Sequence, residues 1–220
     1  MKLSDKLYET TIDMWEESTK KPFVMEMANG TLHERKYRKY MLQDYFYIND
    51  YIEILEKILE IAEGKELKDF LEEIIETTRG ELEKVHIPNM NRLGITGQEL
   101  RCTERTPENS EYVDYLRKLV ETEGVIPGLT ALLHCSWVYA YIARSMVSRY
   151  PKEIEHSPYK SWFEAYACDE YNEANQMWID MVDKETEGIS PEETERLCRI
   201  FKECAAFENR FWDMVEEDDL

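Results

Sequence analysis

The amino-acid sequence predicts an all-α protein of about eight helices, and three observations support this. Only 8 of the 220 residues are glycine, and few segments alternate apolar and polar residues as strands do. Apolar residues instead recur every three or four positions, as on one face of a helix. Proline, serine and glycine mark the ends of these segments. Because no linker rich in glycine, serine or proline interrupts the chain, we expect a single domain over residues 1–220.

The helix boundaries follow from local signals. Pro22 and Pro107 each fit the first turn of a helix, where the missing N–H group costs nothing. Gly64 and Gly124 end the helices that precede them. Ser190 comes before a proline and has a glutamate three residues later, which is a capping box. The predicted helices cover residues 3–18, 22–30, 34–63, 67–93 with a bend near Gly80 and Pro88, 106–124, 125–150, 158–167, 170–185 and 190 onward.

Residues 125–143 form the only long segment without Asp, Glu, Lys or Arg, in a chain that is 34% charged. The segment is nearly long enough to span a membrane, but Pro127, Gly128, Thr130 and His134 make it too polar for lipid. We therefore expect a central helix that is apolar on nearly every side and enclosed by the others. Cys135 lies near its middle.

The charge and the cysteines limit the classes of partner. A net charge of −20 opposes binding to nucleic acid or to anionic lipid. It suits a cationic small molecule, although solubility explains it equally well. Five cysteines without zinc spacing, and an N-terminal segment without an apolar signal core, favour a reduced, cytoplasmic protein. The acidic end at residues 216–219 is expected to be solvated and mobile.

Two carboxylates interrupt apolar rows on predicted helices. Asp44 lies on the row of the helix at 34–63, and Glu208 lies on the row of the last helix. A buried carboxylate is costly unless it has a partner. Each residue therefore either pairs with a neighbouring group and fixes the helix register, or faces a polar pocket where it binds a ligand or moves protons.

Cysteine and tyrosine side chains share faces with these carboxylates. Tyr47 follows Asp44 by three residues, and Tyr139 follows Cys135 by four. Tyrosines in such places either pack in the core or form the wall of a pocket for a flat ring. A reactive thiol needs a base, and Glu208 can serve Cys135 if their helices pack together. His134 points about 100° away on a helix and is a poorer base.

A di-metal site is an alternative use of two short motifs. Glu83 and His86, and likewise Glu153 and His156, have the Glu-x-x-His spacing of helical di-iron proteins. The second pair lies between Pro151 and Pro158, where we expect no regular helix. We therefore predict no metal and no other cofactor.

Five segments, taken in order, resemble the TenA/thiaminase II family. The most specific is residues 23–48, which closely matches the family's G-T-L…Y-x-x-Q-D-x-x-Y pattern. The others are T-P-E-N-S-E-Y ending at Tyr112, C-S-W-V-Y from Cys135, Y-K-S-W-F-E-A-Y ending at Tyr166, and F-E-N-R-F-W from Phe207. The resemblance implies a heme-oxygenase-like fold without heme, a homotetramer, and an activity on aminopyrimidines in thiamin salvage or degradation.

The resemblance also implies roles for residues of this chain. Cys135 would add to an electron-poor carbon of the pyrimidine ring, and Glu208 would shuttle protons. Asp44 would hold the amino-pyrimidine edge. The ring would lie among the tyrosines at positions Tyr47, Tyr112, Tyr139 and Tyr166.

Two positions depart from the family pattern. Family members often have proline before the cysteine and glycine shortly after the tyrosine-bearing turn, where this chain has His134 and Ala143. Neither change removes a catalytic group, so they bear on the substrate and not on the reaction. From the resemblance we expect a hydrolase that releases hydroxymethyl-pyrimidine from aminomethyl-pyrimidine or from thiamin. The alternatives are a non-catalytic pyrimidine-binding or regulatory module on the same fold and a di-metal oxygenase-like protein.

Overall fold

Helices make up all the regular structure of residues 2–216, the part of the chain that the computed structural model describes. This part contains twelve α-helices, a π-helical turn at Leu82–His86 and a 3₁₀ turn at Met214–Glu216. The α-helices are α1 (Leu3–Ser18), α2 (Pro22–Asn29), α3 (Glu34–Ile61), α4 (Lys65–Glu81), α5 (Ile87–Arg92), α6 (Gly97–Cys102), α7 (Pro107–Glu123), α8 (Val125–Arg149), α9 (Pro151–His156), α10 (Lys160–Ala167), α11 (Asp169–Glu185) and α12 (Pro191–Asp213).

Helices α2, α7 and α12 have ends where the local signals predict, whereas α3 ends at Ile61, two residues before its predicted end. Thr106 caps α7 by accepting a hydrogen bond from the Asn109 N–H group, and Ser190 caps α12 in the same way from Glu193. Gly30 ends α2 in the left-handed conformation, with φ of 72°. These caps fix the helix ends from residues close in sequence, which is why they are predictable.

The helix predicted for residues 67–93 is confirmed as a continuous helical segment, and a π-helical turn at Leu82–His86 interrupts its regular geometry between Gly80 and Pro88. Helix α4 begins earlier, at Lys65, and continues into the π-helical turn before α5 starts. Within this turn the Ile87 N–H group bonds to the Leu82 carbonyl five residues back. Pro88 has no N–H group to donate and its ring crowds the preceding turn, so it favours a wider turn at this place.

Short helices account for the difference from the predicted number of about eight. Helix α6 was not predicted, although Thr96 caps it. The expectation that residues 151–158 contain no regular helix is wrong, because Pro151 starts α9 from its first turn. That helix ends at His156, since Ser157 precedes a proline and adopts an extended conformation.

Helix α8 is the central element, as the uncharged segment predicts. It packs against α1, α3, α7, α9, α10, α11 and α12. Its length and composition would suit a membrane span, but 67% of its most apolar window is buried inside the protein, as in the core helix of a bundle. At Gly128 a Cβ atom would lie 2.6 Å from Val120 Cγ2 and 3.1 Å from Ile58 Cδ1, so the absence of a side chain lets α8 approach α7 and α3 closely.

The acidic end of the chain is described only in part. Glu216 binds Lys36 through an ion pair of 2.7 Å, so this first acidic residue has a partner on α3. Residues 217–219, which the sequence also assigns to the solvated and mobile end, lie outside the described residues.

Candidate active site

A cavity of about 60 Å³ lies between α3, α4, α8, α10 and α11. The residues that line it come from all five helices and from the π-helical turn. Five of the residues singled out in the sequence are among them: Asp44, Tyr47, Cys135, Tyr139 and Tyr166. The fold therefore brings together side chains that are up to 122 residues apart (166 − 44) in the chain.

Glu208 lies behind Cys135 and does not line the cavity. Helix α12 packs against α8, and the Glu208 carboxyl group, in a residue only 2% exposed, reaches the Cys135 thiol. Burial raises the pKa of Glu208 to about 8; the Asp44 charge adds to this rise, while the Cys135 thiol and the Tyr112 hydroxyl oppose it. A carboxyl group of this kind is matched to proton transfer near neutral pH.

Cys135 faces the cavity from the middle of α8 and is partly accessible. Burial raises the pKa of its thiol well above the ordinary value, and the charges of Glu208 and Asp44 raise it further, while Tyr47 opposes the rise. The resting thiol is therefore protonated. It becomes a nucleophile when a neighbouring group accepts its proton, and Glu208 is placed to do so.

Asp44 forms a buried ion pair with His86. The His86 Nε2–H group donates to Asp44 Oδ2 at 2.6 Å, and both side chains are almost fully buried. Burial lowers the pKa of His86, but the charges of Asp44 and Glu81 outweigh burial, so that the pKa is raised overall. Asp44 therefore pairs with a neighbouring group and also faces a pocket. These are the two separate explanations that the sequence allows for a carboxylate on an apolar row.

Of the four tyrosines singled out in the sequence, three line the cavity and one packs behind them. Tyr139 packs edge-on against Tyr166, with ring centroids 5.1 Å apart. The ring centroids of Tyr47 and Tyr112 are 5.2 Å apart. The Tyr112 ring in turn stacks on the Phe207 ring, with centroids 5.0 Å apart and nearly parallel planes. Tyr112 is absent from the cavity wall and lies behind Tyr47. Its ring contacts the ring of Tyr47, and the Glu208 charge raises the pKa of its hydroxyl.

Two charged residues of the cavity, Glu81 and His86, were not predicted to belong to a pyrimidine site. Glu81, at the end of α4, accepts a hydrogen bond of 2.8 Å from the Tyr166 hydroxyl. Burial raises the pKa of Glu81, whereas His86 and Tyr166 oppose the rise. His86 was singled out only within a metal motif. Glu81 gave no signal, because it belongs to an amphipathic helix with many other glutamates.

The residues considered as alternatives lie elsewhere. His134 points away from Cys135 and accepts a hydrogen bond of 2.9 Å from Trp15 Nε1; burial lowers its pKa to about 3. Ala143 is fully buried in the core. Of the metal motifs, Glu83 is exposed while His86 binds Asp44, and among residues 2–216 no three His, Cys, Asp or Glu side chains are grouped to hold a metal ion.

Comparison with known proteins identifies the family. The model described as the TENA/THI-4/PQQC family matches residues 10–218. An aminopyrimidine aminohydrolase from Halalkalibacterium halodurans is 30% identical over 222 residues, which cover 100% of this chain and 98% of that protein. A solved TenA homologue from P. horikoshii OT3 is 29% identical and superposes with a TM-score of 0.83 over 98% of both chains.

The fold has a wider resemblance. A domain from Shewanella denitrificans OS217, described as having a heme oxygenase-like fold, superposes with a TM-score of 0.76 over 96% of this chain and 90% of that one. At 16% identity this likeness concerns the fold alone, and it confirms the all-α, heme-oxygenase-like prediction. The family model spans nearly the whole chain, as do the five segments noted in the sequence, and the protein belongs to the TENA/THI-4/PQQC family.

Proposed function

We propose that this protein is an enzyme that hydrolyses aminopyrimidines and releases hydroxymethyl-pyrimidine. The observation that carries the proposal is the arrangement of Cys135, which faces the cavity, with the buried Glu208 behind it and Asp44 in the same wall. The name of the relative from H. halodurans, aminopyrimidine aminohydrolase, supports the reaction class. Aminomethyl-pyrimidine and thiamin are the substrates to compare.

The proposed reaction proceeds through a cysteine adduct. Glu208 takes the proton of the Cys135 thiol and passes it to a ring nitrogen, while the thiolate sulfur bonds to the adjacent ring carbon. The electron pair gained by the ring then expels the substituent of the exocyclic methylene, which leaves as ammonia when it enters as an ammonium group. Water adds to the methylene and gives up a proton. The C–S bond then breaks as the ring nitrogen loses its proton, and Cys135 regains one.

The cavity wall supports the binding mode. Asp44 would accept a hydrogen bond from the ring amino group, and its Oδ2 atom is already held by His86. The rings of Tyr47 and Tyr139 lie in the wall beside it and would contact a flat heterocycle. Because these groups are held by packing before the substrate arrives, little reorganisation is needed on binding.

The test is an assay of the purified protein with aminomethyl-pyrimidine and with thiamin, and with the product identified by mass. We expect hydroxymethyl-pyrimidine from at least one of them. The Cys135→Ser variant should fold and lose turnover, and the exposed Cys102→Ser is the matched control. Substantial activity in Cys135→Ser would exclude the covalent step. No release by the wild type, with pyrimidine binding retained in calorimetry, would favour the non-catalytic module.

We further propose a cytoplasmic homotetramer, on the basis of the family resemblance and the reduced cysteines. Light scattering on the purified protein should give a mass about four times 26.3 kDa. A mass of 26.3 kDa at micromolar concentration would contradict the tetramer.

A further inference from the structure

Glu81 is a charged side chain of the cavity that the proposed reaction does not use. It lies at the last residue of α4, and its Oε1 atom accepts the hydrogen bond from Tyr166. The reaction outlined above employs Cys135, Glu208 and Asp44, so a further carboxylate in the same small cavity calls for a role of its own.

The π-helical turn directs Glu81 and His86 into one cavity. On a regular α-helix, two residues five positions apart point about 140° away from each other. The π-helical turn instead bonds each N–H group to the carbonyl five residues back, so residues at that spacing lie on one face. Both side chains consequently line the cavity, and the Glu81 charge contributes to the raised pKa of His86.

The charges in the cavity favour a cationic group next to Glu81. The described charged residues of its wall are Asp44, Glu81 and His86, and the imidazole of His86 is already bound to Asp44. Glu208 adds a further carboxyl group behind Cys135. The hydrogen-bonding side chain that Glu81 contacts among residues 2–216 is the neutral Tyr166 hydroxyl. The His86 charge that acts on Glu81 is shared with Asp44, so two carboxylates face one cation. A partly buried carboxylate in this position favours a cation with N–H donors.

We infer that Glu81, held by Tyr166, binds the ammonium group of an aminomethyl-pyrimidine and so selects primary-amine substrates over thiamin. The inference rests on the proposed function. It assigns to Glu81 the binding of the group that leaves in the reaction. A primary ammonium offers N–H donors to the carboxylate, whereas the thiazolium nitrogen of thiamin carries none.

The test compares a charged substrate with a neutral one in the Glu81→Gln variant. Glutamine keeps the size and the hydrogen bond to Tyr166 but removes the charge. For aminomethyl-pyrimidine we expect kcat/KM to fall by about 10- to 100-fold, mainly through KM, because one charge-assisted hydrogen bond is lost. For the N-formyl derivative, in which the same nitrogen is neutral, we expect a change of less than about threefold. Glu83→Gln, at an exposed position two residues further on, is the control and should match the wild type on both.

The outcomes separate this inference from the proposed reaction. An equal loss on both substrates would assign Glu81 to the chemistry or to the structure, and no loss on either would remove it from binding; each result overturns the inference. If the wild type turns over neither compound, calorimetry with aminomethyl-pyrimidine and with the neutral hydroxymethyl-pyrimidine still decides. Glu81→Gln must then weaken binding of the amine by the same 10- to 100-fold factor and leave binding of the alcohol unchanged.

Discussion

The Asp44 carboxylate and the His86 imidazole meet at 2.6 Å in the wall of the cavity, with both side chains almost fully buried. Asp44 belongs to α3, and His86 ends the π-helical turn that follows α4. The pair therefore joins two elements and at the same time orients the group that would hold the aminopyrimidine. Stability and ligand affinity are thus coupled at this contact.

The His86→Asn variant should weaken both properties. Removing one partner of a buried ion pair leaves the Asp44 charge uncompensated, which costs about 3–5 kcal/mol of unfolding free energy. We also expect hydroxymethyl-pyrimidine to bind at least about tenfold more weakly, since Asp44 loses its fixed orientation. Urea unfolding and calorimetry measure the two effects. His156→Asn, on an exposed position of α9, is the control, and wild-type affinity in His86→Asn would contradict the positioning role.

Glu208 should make stability fall as the pH rises. The unfolded chain releases this proton near the ordinary pKa of 4.5, whereas the folded protein holds it up to about 8. Between these values the folded state binds more protons, so stability decreases with pH, by about 1.4 kcal/mol for each pH unit. Urea unfolding over this range should show that Glu208→Gln removes the decrease, while Glu203→Gln, at an exposed position of the same helix, keeps it. An unchanged slope in Glu208→Gln would show that the group is not protonated when folded.

Thiol labelling reports the pKa of Cys135 separately from the rate of turnover. Its raised pKa predicts slower alkylation by iodoacetamide at neutral pH than at the exposed Cys102. Above about pH 8, where Glu208 is ionised, Glu208→Gln removes a charge that raises the pKa of Cys135, so Cys135 should be alkylated faster in that variant at this pH. Turnover should fall by about 10²–10⁴-fold, because the proton acceptor is lost. Peptide mass spectrometry follows the labelling, and slower alkylation in Glu208→Gln would contradict the electrostatic assignment.

The residue before the cysteine should affect stability and not catalysis. In His134→Leu the buried Trp15 Nε1–H group loses its acceptor, and we expect a loss of about 1–3 kcal/mol in unfolding free energy with KM unchanged. Combined with Trp15→Phe, which removes the donor as well, the two losses should be less than additive, with a coupling energy of about 0.5–3 kcal/mol. Strict additivity would show that the hydrogen bond contributes nothing.

The sequence predicts structure best where the signal lies within a few residues, as at a helix cap or at a charge within an apolar row. Ser190 and Thr106 cap their helices through groups three residues away, so the helix starts are readable. Asp44 and Glu208 stand out because a charge interrupts an apolar row. Their meeting with Cys135 depends on how α3 and α12 pack on α8, which no local pattern specifies.

Glu81 shows why the remainder of the site could not be predicted. It is one of many glutamates on α4, and it is set apart by a hydrogen bond from Tyr166, which lies 85 residues further along the chain. His86 was visible only as half of a metal motif, because its contact with Asp44 requires a π-helical turn. Tyr112 was assigned to the ring contact by resemblance, although in the structure it supports Tyr47 from behind.

The π-helical turn at Leu82–His86 lets the helix hold one extra residue and still keep Glu81 and His86 on one face. Deleting one residue, such as the exposed Lys84, would place the two residues four positions apart, and a regular α-helix would then set them about 40° apart, again on one face. Without such a deletion, a regular α-helix would set them about 140° apart. The cavity therefore depends on the match between the number of residues and the width of the turn, which a scan of side chains, however complete, would not detect.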